Sequence, residues 1–293
     1  MKPANTIIKR TFILGDEWLY YKLYCGKRTA DMVLVDCIKP LTERLLEKKL
    51  IDQWFFIRYT DPNPHLRIRF HCNDINKLGI IIDDINKAVS NYVENDLIWK
   101  VQTDTYNREI ERYGENTIEE AESLFFYDSK LCIKALEFIE DDTLLFMFAL
   151  RSIHTIFEVF DFTIEDKLLF VKENLEAFKT EFNSNKSLSK QLYKKYNGFK
   201  KELIEFMEMQ RNNEYQSLIN LLNTNKEQLE IVKKTILKKE LHQNIDLNNL
   251  LSSYIHMMVN RLFRDKQRLH ELVCYDNLYR YYNFELAKNN SRK

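Results

Sequence analysis

Every proline of this 293-residue chain lies within its first 64 residues, at positions 3, 40, 62 and 64, and four of its five glycines lie within the first 114. Proline fixes φ and removes a backbone donor, and glycine opens conformations closed to other residues, so the two punctuate turns between short elements. A stretch that lacks both has few ways to turn sharply and favours helix. The chain is therefore expected to have two textures, a punctuated N-terminal part containing strands and a helical remainder. With 44 Lys+Arg against 44 Asp+Glu and 45% hydrophobic residues, it carries material for a sizeable core. It lacks the basic surplus of a protein that mainly grips a nucleic acid backbone.

Within the punctuated part, WLYYKLYC at 18–25 is short and aromatic-rich and reads as a strand. Residues 30–49 have helical spacing, with a kink or break expected at Pro40. WFFIRY (54–59) and LRIRFH (66–71) flank TDPNPH, which is turn chemistry, and read as a hairpin. Ile75, Leu78, Ile82, Ile85, Val89 and Tyr92 recur at helical intervals, and residues 97–106 read as a fourth strand. This β-α-β-β-α-β order predicts an α+β fold, with a split-βαβ (ferredoxin-like), mostly antiparallel sheet packed against a C-terminal helical part.

The texture changes after Gly114. Thr117 followed by Glu120 looks like a capping box, and apolar residues then recur helically from Ile118 to Phe182. An exposed loop is expected at 183–190, with breaks near Asn197–Gly198 and Asn244–Ile245. The expected organisation is a sheet-containing part over 1–116 and a helical part over 117–293, forming one cooperative unit. No fixed-period repeat emerges.

The N-terminus lacks the apolar run and cleavage site of a signal peptide, and the most apolar stretch, Leu144 to Leu150, is far too short to span a bilayer. Cysteines at 25, 37, 72, 132 and 274 show no CxxC or zinc spacing, so reduced buried thiols in a cytoplasmic protein are expected. No GxGxxG, phosphate loop, HExxH or GxSxG is present.

Three segments could carry chemistry. On the strand 66–71, alternation sends Arg67, Arg69 and His71 to one face and Leu66, Ile68 and Phe70 to the other. Guanidiniums at i and i+2 stand roughly 7 Å apart. They fit either a solvated face with surface ion pairs or an anion site, with Arg58 on the neighbouring strand joining them or pointing elsewhere. In YNREIERYGE (106–115), Arg108 and Arg112 bracket Glu109 and Glu111, as a solvated segment commonly does. In LSSYIHMMVNRLF (251–263), Ser252, His256 and Asn260 form one polar stripe on an otherwise apolar helix. His256 is either a satisfied core histidine or a proton-transfer group lining a cavity.

Taken together, WFFIRYTDPNPHLRIRFH (54–71), ERYG (111–114) and HMMVNR (256–261) resemble the C-terminal, elimination domain of class I lanthipeptide dehydratases, which also occurs as a separate protein in thiopeptide and other split bacteriocin pathways. The likeness runs from Trp18 to about Tyr282. It departs at Glu115, where a second glycine often follows ERYG.

The resemblance implies a lyase that converts glutamylated Ser or Thr of a ribosomal precursor peptide to dehydroalanine or dehydrobutyrine by expelling glutamate. It implies Arg67 and Arg69 of His-x-Arg-x-Arg, Arg112 of ERYG and His256 of the His-Met motif as the site, at the meeting of the two parts. No metal or other cofactor is implied. Its partners would be the precursor peptide and a separate tRNA-dependent glutamylating subunit, with no direct nucleic acid contact and no membrane span; a homodimer is compatible with the family. Two other readings stay open: a thiopeptide pyridine synthase working by [4+2] cycloaddition, and a non-catalytic peptide-binding subunit of a dehydratase complex that uses a sheet edge.

Overall fold

The computed structural model describes residues 8–208, 215–240 and 246–291. The chain divides into two compact units, one of Met1–Leu136 with Thr235–Asp246 and one of Glu137–Lys234 with Leu247–Lys293. The expected boundary at 116/117 follows the change in secondary structure. By compactness, the helical residues up to Leu136 and the later stretch Thr235–Asp246 go with the sheet.

The first unit opens with β1 (Thr11–Phe12), β2 (Trp18–Cys25), α1 (Lys27–Met32), a π-helical segment Val33–Ile38 and α2 (Lys39–Glu47). The hairpin β3 (Gln53–Thr60) and β4 (Pro64–His71) follows, then α3 (Leu78–Glu94), β5 (Ile98–Thr103) and β6 (Tyr106–Asn107). The four long strands make one antiparallel sheet in the order β3-β4-β2-β5, as the split-βαβ reading requires. The central strands β2 and β4 are covered on both faces, which explains their nearly unbroken apolar and aromatic sequences.

Several local expectations are corrected. Pro40 sits in the first turn of α2, where its missing donor costs nothing, and the irregularity falls before it as the π segment. In α3 the buried stripe is Leu78, Ile81, Ile85 and Val89, so Ile81 takes the place expected of Ile82. The fourth strand ends at Thr103, and β6 pairs instead with β1. Ser129 on α5 (Ile118–Phe138) accepts the Phe56 N–H, which β3 turns away from the sheet. The opposite edge, β5, pairs only with β2 among the described residues.

Helices follow Asn107: α4 (Ile110–Tyr113), α5, α6 (Asp142–Val159), α7 (Ile164–Glu181), α8 (Lys186–Met207), α9 (Gln216–Glu240), α10 (Leu247–Leu262) and α11 (Gln267–Asn290). The Thr117 hydroxyl donates to the Tyr113 carbonyl and the Glu120 carboxylate holds Lys239, so neither serves the expected capping box. The capping box present is Thr163 with Asp166 at the start of α7. The expected loop at 183–190 shrinks, because Asn185 caps Leu188 N–H and α8 starts at Lys186. The break at Asn197–Gly198 appears as a kink at Phe199 (φ −136°, ψ 17°). The break expected at Asn244–Ile245 lies outside the described residues. In the second unit Phe157, Phe170, Tyr275 and Tyr282 are fully buried and meet ring to ring, with α7 packed along α11. All five cysteines are buried thiols, none in a disulfide.

Candidate functional site

Residues directly opposite in an antiparallel pair share a face. The register therefore lines up Lys22, Arg67 and Ile57 in one row, Tyr20, Arg69 and Phe55 in the next, and Tyr24, His65 and Tyr59 in a third. Lys22 against Arg67 is a like-charge pair that the sheet alone would resist. Asp104 offsets part of it through an ion pair with Lys22.

Arg67 is half-buried and held from two sides. Its Nε donates to His65 Nε2 at 3.1 Å, and its guanidinium carbon lies 3.4 Å from the Tyr59 ring centroid. His65 donates from Nδ1 to the Asn63 carbonyl at 2.9 Å, so Nε2 is left as an acceptor and one tautomer satisfies both bonds. Burial, with Arg67 and Lys22 nearby, lowers the His65 pKa below its ordinary value and keeps the ring neutral near pH 7. The two terminal amino groups of Arg67 have no partner among the described residues.

Arg69 is 8% exposed and has no ion pair among the described residues. Its guanidinium lies over the rings of Tyr20 (4.4 Å), Tyr106 (4.7 Å) and Phe55 (5.1 Å), and its Nε is buried without a hydrogen-bond partner. Burial lowers its pKa, with Tyr106, Tyr20 and Glu109 acting in the opposite sense. A solvated strand face would not look like this. A buried cation without a counter-charge is normally costly, and such groups concentrate at functional sites. Arg58 does point elsewhere, to Asp31 at 2.5 Å on the opposite face, and His71 donates to Asp52 at 2.6 Å.

Arg112 stands on α4 in the same unit, 42% exposed, with its nearest carboxylate, Glu109, at 3.5 Å. Gly114 closes the turn at φ +78°, and a Cβ there would meet Thr117 Oγ1 at 2.7 Å. The charged segment 106–115 is not uniformly solvated. Arg108 is buried and forks onto Glu122 at 2.8 and 2.6 Å, while Tyr106 donates to the same carboxylate at 2.7 Å.

His256 belongs to the second unit. Its Nδ1 donates to Glu271 on α11 at 2.9 Å, and Arg268 reaches the same carboxylate oxygen at 3.3 Å. On the same polar stripe, Ser252 donates to Asn174 at 2.9 Å. Arg67, Arg69 and Arg112 thus stand in one unit and His256 in the other. Sequence reasoning missed Glu271, Lys22 and His65. For His65 the signal was present, since it shares the i, i+2 face with Arg67; for Glu271, fifteen residues on and across a turn, none was. A cleft of about 1100 Å³ in the second unit, lined by Phe146, Phe199, Phe263 and His270 among others, includes none of the four candidates. Among the described residues no group of three His, Cys, Asp or Glu could hold a metal ion, and no helix is long and apolar enough to cross a membrane.

The fold defines a class. Residues 18–282 match the family described as lantibiotic biosynthesis dehydratase C-terminal, and the chain belongs to it. Among individual proteins, it is 25% identical over 273 residues to the subtilin biosynthesis protein SpaB of Bacillus subtilis, covering 90% of this chain and 26% of SpaB. It is 31% identical over 137 residues to the nisin biosynthesis protein NisB of Lactococcus lactis subsp. lactis, 46% of this chain and 13% of NisB. The chain spans about a quarter of SpaB and less of NisB. Its fold is similar to that of the tRNA-dependent lantibiotic dehydratase MibB from Microbispora sp. 107891 (TM-score 0.74, 19% identity, 94% of this chain and 29% of MibB). It is also similar to TsrL (0.66, 13%, 92% and 95%) and to the pyridine synthase TbtD from thiomuracin biosynthesis (0.63, 11%, 92% and 100%).

Proposed function

We propose that this chain is the glutamate-elimination enzyme of a split dehydratase, a lyase acting on the glutamylated Ser and Thr residues of a ribosomal precursor peptide. A separate subunit would load glutamate from glutamyl-tRNA. In the elimination, the Cα–H bond breaks, the Cα=Cβ double bond forms, the Cβ–O ester bond breaks and glutamate leaves as a carboxylate. A glutamyl ester always carries one free carboxylate. The open fork of Arg67 and the unpaired guanidinium of Arg69 suit that group, and cationic donors also favour the charge that builds on the peptide in the transition state. In this reading Arg112 adds a further positive charge, and His256 supplies a proton-transfer group. The observation that supports this reading most is Arg69, a buried cation with no ion pair among the described residues and no hydrogen-bond partner for its Nε.

A second reading, pyridine synthesis, draws support from the match along the full length of the thiomuracin pyridine synthase. Arg67→Ala, Arg112→Ala and His256→Ala separate the two. With a glutamylating partner, precursor and glutamyl-tRNA, elimination predicts glutamylated peptide accumulating at +129 Da steps (~129, one glutamyl residue) by mass spectrometry, and more than about 100-fold less dehydroalanine. Normal dehydration by all three variants would remove the elimination reading. A chain that instead consumes dehydrated peptide without releasing glutamate would be a pyridine synthase.

A further inference from the structure

Glu271 is 2% exposed and sits in the second turn of α11, facing His256 on α10. An ionised carboxylate only accepts hydrogen bonds, so the hydrogen in the 2.9 Å contact belongs to His256 Nδ1. The carboxylate is itself fixed. Arg268 reaches it at 3.3 Å, is forked from the other side by Glu181, and lies 4.3 Å over the Phe178 ring. His256 is thereby given an orientation as well as a hydrogen-bond partner, in the arrangement by which a buried carboxylate sets the tautomer of a catalytic imidazole.

We infer that Glu271, held by Arg268, is a positioning residue that fixes His256 as the Nδ1–H tautomer and so makes bare Nε2 the atom that removes the peptide α-proton. This rests on the elimination reading, and it assigns His256 to proton removal rather than to protonation of the departing glutamate. The Cα–H electron pair becomes the Cα=Cβ bond as Cβ–O breaks, and glutamate carries away the ester electrons. The proton taken by Nε2 converts the neutral ring to imidazolium beside the Glu271 carboxylate, which stabilises it, and is released to water after glutamate departs. Ser252 does not compete for the role, since its hydroxyl is committed to Asn174.

The tautomer is measured without substrate. Long-range 1H–15N spectra of the full chain labelled with 15N-histidine, with His256 assigned by comparison with His256→Gln, should show a protonated Nδ1 and a bare Nε2. In Glu271→Gln the amide oxygen can still accept from Nδ1–H and from Arg268, but the negative charge that stabilises the imidazolium is lost. Elimination from purified glutamylated precursor should then fall about 10²- to 10⁴-fold in kcat with KM unchanged. Glu271→Asp should keep the native tautomer and restore part of the rate. A wild-type ring protonated on Nε2 overturns the inference, as does Glu271→Gln turning over at the wild-type rate. Where Glu271→Gln fails to fold, the wild-type spectrum still decides the tautomer. Unimpaired elimination by His256→Ala would refute the base role and with it the use of His256 in the elimination reading, whereas an active-site loss in His256→Ala alongside a full-rate Glu271→Gln would refute only the role of Glu271.

Discussion

Two arginines of the first unit are almost equally buried, Arg69 at 8% and Arg108 at 7% exposure, yet they should respond oppositely to the same substitution. Arg108 shares a fork with Glu122, which is also buried. Arg108→Met strands that carboxylate with only the Tyr106 hydroxyl, and breaking a buried pair in this way costs about 3–5 kcal/mol. Arg69 has no carboxylate to strand. Arg69→Met gives up the guanidinium's contacts with three rings, about 2 kcal/mol at a desolvated site, and regains part of it through sulfur–aromatic contact. It also removes a buried charge with an unsatisfied Nε, and replacing buried ionic groups by apolar ones is neutral or stabilising by about 1–4 kcal/mol. The Met variant should therefore match the wild type within about 1 kcal/mol or exceed it. Calorimetry or urea unfolding of the two variants should separate them by at least about 2 kcal/mol, roughly 4–8 °C in melting temperature for a unit of this size. Elimination, by contrast, should be lost in Arg69→Met. If Arg69→Met unfolds as readily as Arg108→Met, Arg69 is a structural residue, and the argument for an anion site fails with it.

Gly114→Ala forces a side chain onto a φ of +78° and a Cβ to within 2.7 Å of Thr117 Oγ1, so it should cost about 1–3 kcal/mol in urea unfolding. In the second unit, His154 is sandwiched between Tyr282 and Glu158, with Arg151 and Lys167 nearby, and burial pushes its pKa down to about 4. Between that value and the unfolded value of 6.5 the folded state binds fewer protons, so its stabilising contribution is complete above about pH 6.5 and is lost as pH falls towards 4. Unfolding midpoints should fall across that window by an amount equivalent to as much as about 3 kcal/mol, and His154→Gln should flatten the dependence.

Much of the sheet was legible because alternation and turn chemistry are local. The strands of 18–25 and 54–71, the hairpin and the shared face of Arg67 and Arg69 all follow from period two and two prolines. The states of those side chains were not legible. Nothing in LRIRFH says that Arg69 lies under three rings, since Tyr106 arrives from another strand, and nothing in NREIERYGE says that Arg108 finds a buried carboxylate at position 122. Capping misled for a related reason: Thr117–Glu120 and Thr163–Asp166 look alike as text, but Tyr113 O and Lys239 claimed the first pair. The helix breaks at 139–141 and 160–163 come without glycine or proline, through the Asp141 cap and a left-handed Asp161. The polar stripe through His256 was visible, but its carboxylate belongs to another helix.

The two edges of the four-stranded sheet are not equivalent, because Ser129 occupies an outward N–H of β3 while β5 has no second strand partner among the described residues. In the language of polymer chemistry, the α5 hydroxyl end-caps one site on β3. A strand from a peptide or another copy would meet the row of backbone donors and acceptors on β5, whose exposed Trp99 and Val101 give such a strand apolar surface to lie against.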